Sequence, residues 1–268
     1  MNKKYYFLSG LPRSGNTLLG SILNQNKNIT VTANSSVAEI MYRIETIKYE
    51  VPGVYNFPDI KSFENVSRTI LDRYYSDWRS KYIIDRSCWG TPDNLDMLKK
   101  YCPNDIKIIV PMREVTEVLA SFIKWAQENP NNFLDGFKTV EDKCDFLMNP
   151  QGQIVKQLYS INNLMREENK KYVMFLNYND LVLDTKRSIE KIYNFLKIRR
   201  YNHYYENLSQ LKANGVEYCD DIYGKNLHNV KPSRVEKTNY NPIDYIPKHI
   251  IDKYSCYNPK VFDLNINN

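Results

Sequence analysis

The sequence predicts a three-layer α/β fold, with a central parallel sheet and helices on both of its faces. Two observations carry that expectation. Short apolar runs of strand length alternate with helix-patterned segments along most of the 268 residues. Repeated strand-then-helix units imply a parallel sheet covered on both sides. The second observation is a glycine-bounded turn, Gly10-Leu11-Pro12-Arg13-Ser14-Gly15-Asn16-Thr17, set between the first strand candidate and the first helix. It follows the phosphate-loop pattern G-x-x-x-x-G-K-[ST], except that Asn16 stands where the pattern has lysine.

Each element follows from local pattern. Lys3 to Ser9 is an aromatic and apolar run long enough for one strand. Thr17 to Gln25 then places apolar residues at helical spacing. Residues 34–80 read as a mostly helical insertion, interrupted by Pro52-Gly53 and Pro58. Tyr82-Ile83-Ile84-Asp85 is a short strand followed by a helical pattern from Asn94 to Lys100. Lys107 to Met112 reads as a buried strand feeding a helix from Glu114 to Gln127. Tyr172 to Leu176 is the last strand candidate, with a helix from Lys186 to Leu196 behind it. From about 200 to 245, Gly215, Gly224, Pro232 and Pro242 punctuate a polar stretch with little periodicity. Long segments of that kind are often lids or binding loops. No repeat or low-complexity linker divides the chain, so residues 1–268 are expected to form one domain.

Composition narrows the function classes. The chain is 42% hydrophobic and 25% charged, ordinary values for a soluble globular protein. No apolar run approaches the roughly 18 residues that span a bilayer. The apolar stretch after Lys3-Lys4 is too short for a secretory signal. Five cysteines, at 88, 102, 144, 219 and 256, are odd in number and form no C-x-x-C pair. That argues against a zinc ribbon or a disulfide framework and for a reduced, cytoplasmic compartment. The three histidines (203, 228 and 249) are not at metal-ligand spacing, so no metal is expected. A net charge of +6 suits an anionic ligand and does not require nucleic acid.

The turn supplies the chemistry. Strand, glycine turn and helix aim backbone N–H groups and a helix N-terminus at one point, which favours an anion. The lysine replaced by Asn16 is the one that reaches a nucleotide's β and γ phosphates. A phosphate-like group is therefore expected in place of a triphosphate, with Arg13 as the substitute cation. In parallel sheets, ligands gather outside the carboxyl ends of the strands. The turn, Arg86, Arg113 and Tyr178 all follow predicted strands and are expected to converge on one crevice. Ser121 lies eight residues after Arg113, close to two helical turns of roughly 7.2 residues, so the two are expected on one face. An arginine with a nearby hydroxyl forms a second candidate anion site.

Taken together, these motifs resemble the sulfotransferases that use 3′-phosphoadenosine 5′-phosphosulfate (PAPS). Leu11 to Thr17 looks like the family's 5′-phosphosulfate loop, and Arg113 with Ser121 looks like its 3′-phosphate site. Asp85-Arg86-Ser87-Cys88-Trp89, Asn177-Tyr178-Asn179-Asp180-Leu181 and Leu227-His228-Asn229-Val230-Lys231 resemble the bacterial branch. The resemblance implies a metal-free transfer of a sulfuryl group to an acceptor hydroxyl or amine. The acceptor would be a small molecule, a carbohydrate or a peptide. It implies that Arg13, Ser14, Gly15, Asn16 and Thr17 cradle the 5′ end of the donor, the hydroxyls of Ser14 and Thr17 included. Tyr178 would border the adenine, and Lys231, Ser233 and Arg234 would close over the 3′-phosphate. Arg86 aligns with a catalytic lysine of tyrosylprotein-type relatives, and its alternative is a structural ion pair with Asp85 or Asp93. Those relatives carry a basic glutamate where this chain has Ala33-Asn34-Ser35-Ser36, which leaves Glu39 and His228 as candidate bases. Two alternatives stand beside this one: a phosphate-loop small-molecule kinase with Asp85 as its magnesium ligand, and a cofactor-binding relative without turnover.

Overall fold

The computed structural model describes residues 3–102, 105–231, 235 and 241–259. In chain order its first half holds β1 (Lys4–Leu8), α1 (Asn16–Leu23), β2 (Ile29–Asn34), α2 (Val37–Glu50), α3 (Pro52–Asn56), α4 (Ile60–Tyr74), β3 (Tyr82–Arg86) and α5 (Pro92–Tyr101). The second half holds β4 (Ile108–Met112), α6 (Val115–Glu128), α7 (Val140–Leu147), α8 (Gln153–Leu164), β5 (Val173–Asn177), α9 (Tyr178–Leu183) and α10 (Thr185–Leu196). A two-stranded hairpin, β6 (Lys212–Ala213) and β7 (Val216–Glu217), and α11 (Lys248–Ser255) complete it. The 34–80 segment is helical as expected, with α2 and α4 packed on each other.

Five strands form one parallel sheet in the order β2-β3-β1-β4-β5. β2 has no counterpart among the expected strands. Its signal is the β-branched run Ile29-Thr30-Val31-Thr32, short and flanked by asparagines. Strand order reverses at β1, which is bracketed by β3 and β4, so the crevice beyond its carboxyl end is the place where a ligand settles in such sheets. The register sharpens this. Leu8 pairs with Arg86, Asn34 with Arg86, and Met112 with Asn177, so the strand ends that carry Gly10, Arg86, Arg113 and Tyr178 share one edge.

Alternation of side chains across the sheet builds a core on each face. Phe7, Ile83, Ile108 and Val110 join the cluster under α2, α5, α6 and α8. Tyr6, Leu8, Ile84, Ile109 and Leu176 join the opposite cluster with Leu19, Ile189 and Ile192 of α1 and α10. Pro111 lies within β4, where a missing N–H normally breaks a ladder. Pairing of β4 with β1 stops at Ile109, so the site of the missing donor faces the glycine turn and no strand partner.

One contact fixes how closely α8 approaches the β3–α5 turn. Gly90 lies where an added Cβ would sit 2.3 Å from Leu164 Cδ1 and 2.5 Å from Ser160 Oγ. Its carbonyl accepts from Asn163 Nδ2 at 3.0 Å. Gly90→Ala is expected to lower unfolding free energy by about 1–3 kcal/mol through overpacking, measured by urea denaturation. Gly136→Ala, where an added Cβ meets nothing within 4 Å, serves as the neutral control. Equal midpoints for the two variants would refute the close approach.

Candidate active site

The glycine turn is closed from inside by its own side chains. Leu11 N donates to the Pro111 carbonyl at 3.1 Å, and Ser14 Oγ donates to the same carbonyl at 3.1 Å. Asn16 Nδ2 donates to Leu11 O at 2.6 Å and to Ser14 Oγ at 3.2 Å. Both Ser14 and Asn16 are buried. The expected role of the Ser14 hydroxyl in the cradle is therefore not what the geometry holds, because that hydroxyl is turned onto main-chain carbonyls. Asn16 likewise acts as a pin that shapes the turn. Gly10 is dictated by crowding, since an added Cβ would lie 2.4 Å from Asn16 Oδ1 and 2.7 Å from Pro111 Cδ. Arg13 and Gly15 adopt left-handed backbone (φ 58° and 85°). For arginine this is an uncommon conformation, of the kind found at functional sites.

With the side chains directed inward, the backbone faces outward. Gly15 caps α1 without any side-chain hydrogen bond, and no acidic residue occupies the first turn. The opening N–H groups of the helix and its positive end are thus left for an anion. Thr17 is half-buried and lines the cleft beside them.

Two arginines converge on this point. Arg13 Nε donates to Ser121 Oγ at 3.1 Å, and its guanidinium also donates to the Leu227 carbonyl. Arg113 is buried, donates from Nε to Glu117 Oε2 at 2.9 Å, and donates from a terminal nitrogen to Arg13 O at 3.1 Å. Its guanidinium lies 4.3 Å from the centre of the Tyr178 ring, a cation–π arrangement. Tyr178 also closes on Gly15, where an added Cβ would be 3.1 Å from its ring. Arg113 and Ser121 are brought together as expected, with Arg13 as the residue both of them touch.

The β3 end carries a second constellation. Arg86 donates to Tyr218 Oη at 2.6 Å and pairs with no carboxylate among the described residues. The alternative reading, an ion pair with Asp85 or Asp93, is therefore absent from them. Asp85 is fully buried, with its oxygens taken by the Tyr75 hydroxyl and by Trp89 Nε1 at 2.6 Å. Burial pushes its carboxyl above the usual range. The Tyr218 ring stacks flat on His228, with centroids 3.9 Å apart and planes 3° from parallel. His228 Nδ1 lies 2.6 Å from Asp220 Oδ1. Burial, reinforced by Arg86 and Arg13, pulls the His228 pKa below its ordinary value against the opposing pull of Asp220. Tyr218 and Asp220 escape sequence reasoning, because nothing in an aperiodic segment links them to a histidine eight or ten residues on.

The remaining candidates lie further out. Glu39 sits on the cleft rim, exposed and paired with Arg43 at 2.9 Å. Lys231 is exposed and lines the cleft. Ser233 and Arg234 lie outside the described residues. All the described candidates except the buried Ser14 border one cleft of about 1900 Å³, running from Gly15 past Arg86 to Asn149 and Gln153. Single-ligand pockets occupy roughly 300–1,000 Å³, so this cleft has room for two substrates. Among the described residues, no three His, Cys, Asp or Glu side chains are grouped as metal ligands, and no helix is long and apolar enough to cross a membrane.

Several solved structures are similar to this chain. The sulfotransferase domain of the Synechococcus PCC 7002 olefin synthase is 15% identical, with a TM-score of 0.48 and 75% of each chain covered. Mouse sulfotransferase SULT7A1, solved in complex with PAP, is 20% identical, with a TM-score of 0.47, 75% of this chain and 62% of that one covered. A sulfotransferase from Alicyclobacillus acidocaldarius is 13% identical, with a TM-score of 0.48, 74% of this chain and 83% of that one covered. No curated protein sequence matches. The sulfotransferase domain family matches residues 3–238, a span that takes in the glycine turn, the three arginines, Tyr178 and His228, and the chain belongs to that family.

Proposed function

We propose that the protein transfers a sulfuryl group from PAPS to an acceptor hydroxyl, or to an amine, of a small molecule, carbohydrate or peptide. The observation that carries this reading is the turn itself. It offers an uncapped helix N-terminus and Arg13, its lysine position is occupied by an inward-facing asparagine, and Arg113 and Ser121 stand directly beside it. A donor with an anionic group at each end of one nucleoside fits two neighbouring anion sites. The 5′-phosphosulfate would lie on the turn and Arg13, and the 3′-phosphate toward Arg113 and Ser121. Tyr178, already stacked under Arg113, would border the base. A sulfuryl group carries less charge than a phosphoryl, so backbone donors and an arginine suffice to balance the oxygen left behind.

Arg86 and His228 take the reaction roles in this scheme. Arg86, paired with no carboxylate among the described residues, would stabilise charge on the transferring group. His228 would accept the proton of the attacking hydroxyl. It is preferred over Glu39 because Nδ1 is anchored at Asp220 and Nε2 has no hydrogen bond among the described residues. Glu39 is exposed and engaged with Arg43. Burial of Asp85 removes the magnesium ligand that a kinase would need, which favours sulfuryl over phosphoryl transfer.

Calorimetry with 3′-phosphoadenosine 5′-phosphate tests the donor assignment. Saturable binding is expected for the wild type, with affinity reduced about 10–100-fold in Arg113→Ala, the scale of a hydrogen bond to a charged group. No binding, or an unchanged affinity in the variant, would refute it. His228→Ala is expected to leave that affinity within about twofold while lowering transfer by about 10²–10⁴, the range for a lost general base. The readout is radiolabelled transfer from PAPS across phenol, sugar, peptide and amine acceptors. Wild-type turnover in this variant would exclude His228.

A further inference from the structure

The segment after the β6–β7 hairpin packs three contacts of the site into a short stretch. Tyr218 receives the Arg86 bond, Asp220 holds His228, and the Leu227 carbonyl receives the Arg13 guanidinium. His228 is thus the residue next to one arginine contact, and its ring is stacked on the tyrosine that makes the other. Among the described residues, the charged and titratable groups facing its imidazole are Asp220, Tyr218, Arg86 and Arg13. Only one of these is an acid able to hold the ring.

The Asp220 carboxylate is forked on a single residue. Oδ2 accepts from the His228 backbone N–H at 2.9 Å, and Oδ1 lies 2.6 Å from Nδ1 of the same histidine. One bond fixes where the main chain runs and the other fixes the rotation of the ring. Both side chains are mostly buried, at 14% exposed for His228 and 12% for Asp220. The acid is itself placed by a tight turn, because the Asp220 carbonyl accepts from the N–H groups of Tyr223 and Gly224 at 2.9 Å each. Gly224 sits at φ 113° against Asn132, and Trp125 Nε1 donates to the Lys225 carbonyl at 2.9 Å. The turn is thereby anchored to α6 and to the chain that follows it.

We propose that Asp220 is the positioning residue of the reaction's base. Its carboxylate holds Nδ1 of His228 as the protonated nitrogen, so that Nε2 is the atom presented, unprotonated, between Arg13 and Arg86. A histidine that donates from one nitrogen must accept at the other. Tyr218 prevents the ring from turning away by covering its face, and Arg86 holds Tyr218. In the transfer step, Nε2 takes the proton of the acceptor hydroxyl as that oxygen bonds to sulfur. The bond from sulfur to the bridging oxygen breaks, and its electron pair stays with the 5′-phosphate. This assignment rests on the sulfotransferase reading and on His228 as the base.

Nitrogen-15 histidine NMR on the whole protein separates the two. Only three histidines contribute signals, and His228→Gln identifies which set belongs to residue 228. The wild type is expected to show the tautomer protonated at Nδ1, with a titration below that of an ordinary histidine. Asp220→Asn removes the group that pulls the pKa up, so its His228 signal is expected to titrate at still lower pH and to lose the single tautomer. Asp220→Glu is expected to restore it in part. With any acceptor found in the panel above, Asp220→Asn is expected to lower kcat roughly tenfold or more. The acid limb of its rate profile should move in the same direction as the NMR titration, with binding of 3′-phosphoadenosine 5′-phosphate unchanged. An unaltered tautomer and acid limb in a folded Asp220→Asn protein would overturn the proposal. Absence of nucleotide binding by the wild type would instead overturn the donor assignment and leave the tautomer result standing.

Discussion

Everything at the carboxyl edge of the sheet depends on how tightly β1 ends against β4. The backbone of Gly10 passes so near Pro111 and Asn16 that no side chain fits between them. That contact lets one proline carbonyl collect both the Leu11 N–H and the Ser14 hydroxyl. The turn is folded onto β4 in consequence, and Arg13 is delivered to the strand end that carries Arg113. A looser junction would place the two cations apart, and the register of the sheet alone would not reunite them.

Electrostatics explains why the site is so thoroughly cross-braced. Burying a guanidinium without partners is costly, yet Arg113 is only 6% exposed. Glu117, one helical turn further on, supplies its counter-charge, and Tyr178 covers its face. Arg13 is satisfied by neutral oxygens of Ser121 and Leu227. Arg113 thus has its counter-charge within the protein, and Arg13 is braced by neutral oxygens. Arg86 likewise donates to a neutral oxygen, the Tyr218 hydroxyl.

Most of the fold was legible in the sequence, and the limits of that legibility are physical. β1, β3, β4 and β5 announce themselves as apolar runs before helices because both of their faces are buried. β2 interleaves threonines with its apolar residues and ends in Asn34, so it lacks the continuous apolar run that marks the others. The spacing of Arg113 and Ser121 pointed to one place, although α6 begins only at Val115 and the meeting is made through Arg13. Asn16 reads in the sequence as a lost lysine, while its gain is visible only as hydrogen bonds inside the turn. The Asp220–His228 pair was beyond reach for a different reason. Its geometry comes from a turn and a hairpin without periodicity, and pattern reasoning has no purchase there.

The inward-facing asparagine also bears on where such a site can go over time. Replacing Asn16 by lysine would restore the familiar pattern on paper, but it would first remove the amide that ties the Leu11 carbonyl and the Ser14 hydroxyl together. The turn would lose its internal pin in the same step that supplied the new cation. A lysine at this position therefore comes with a less ordered turn.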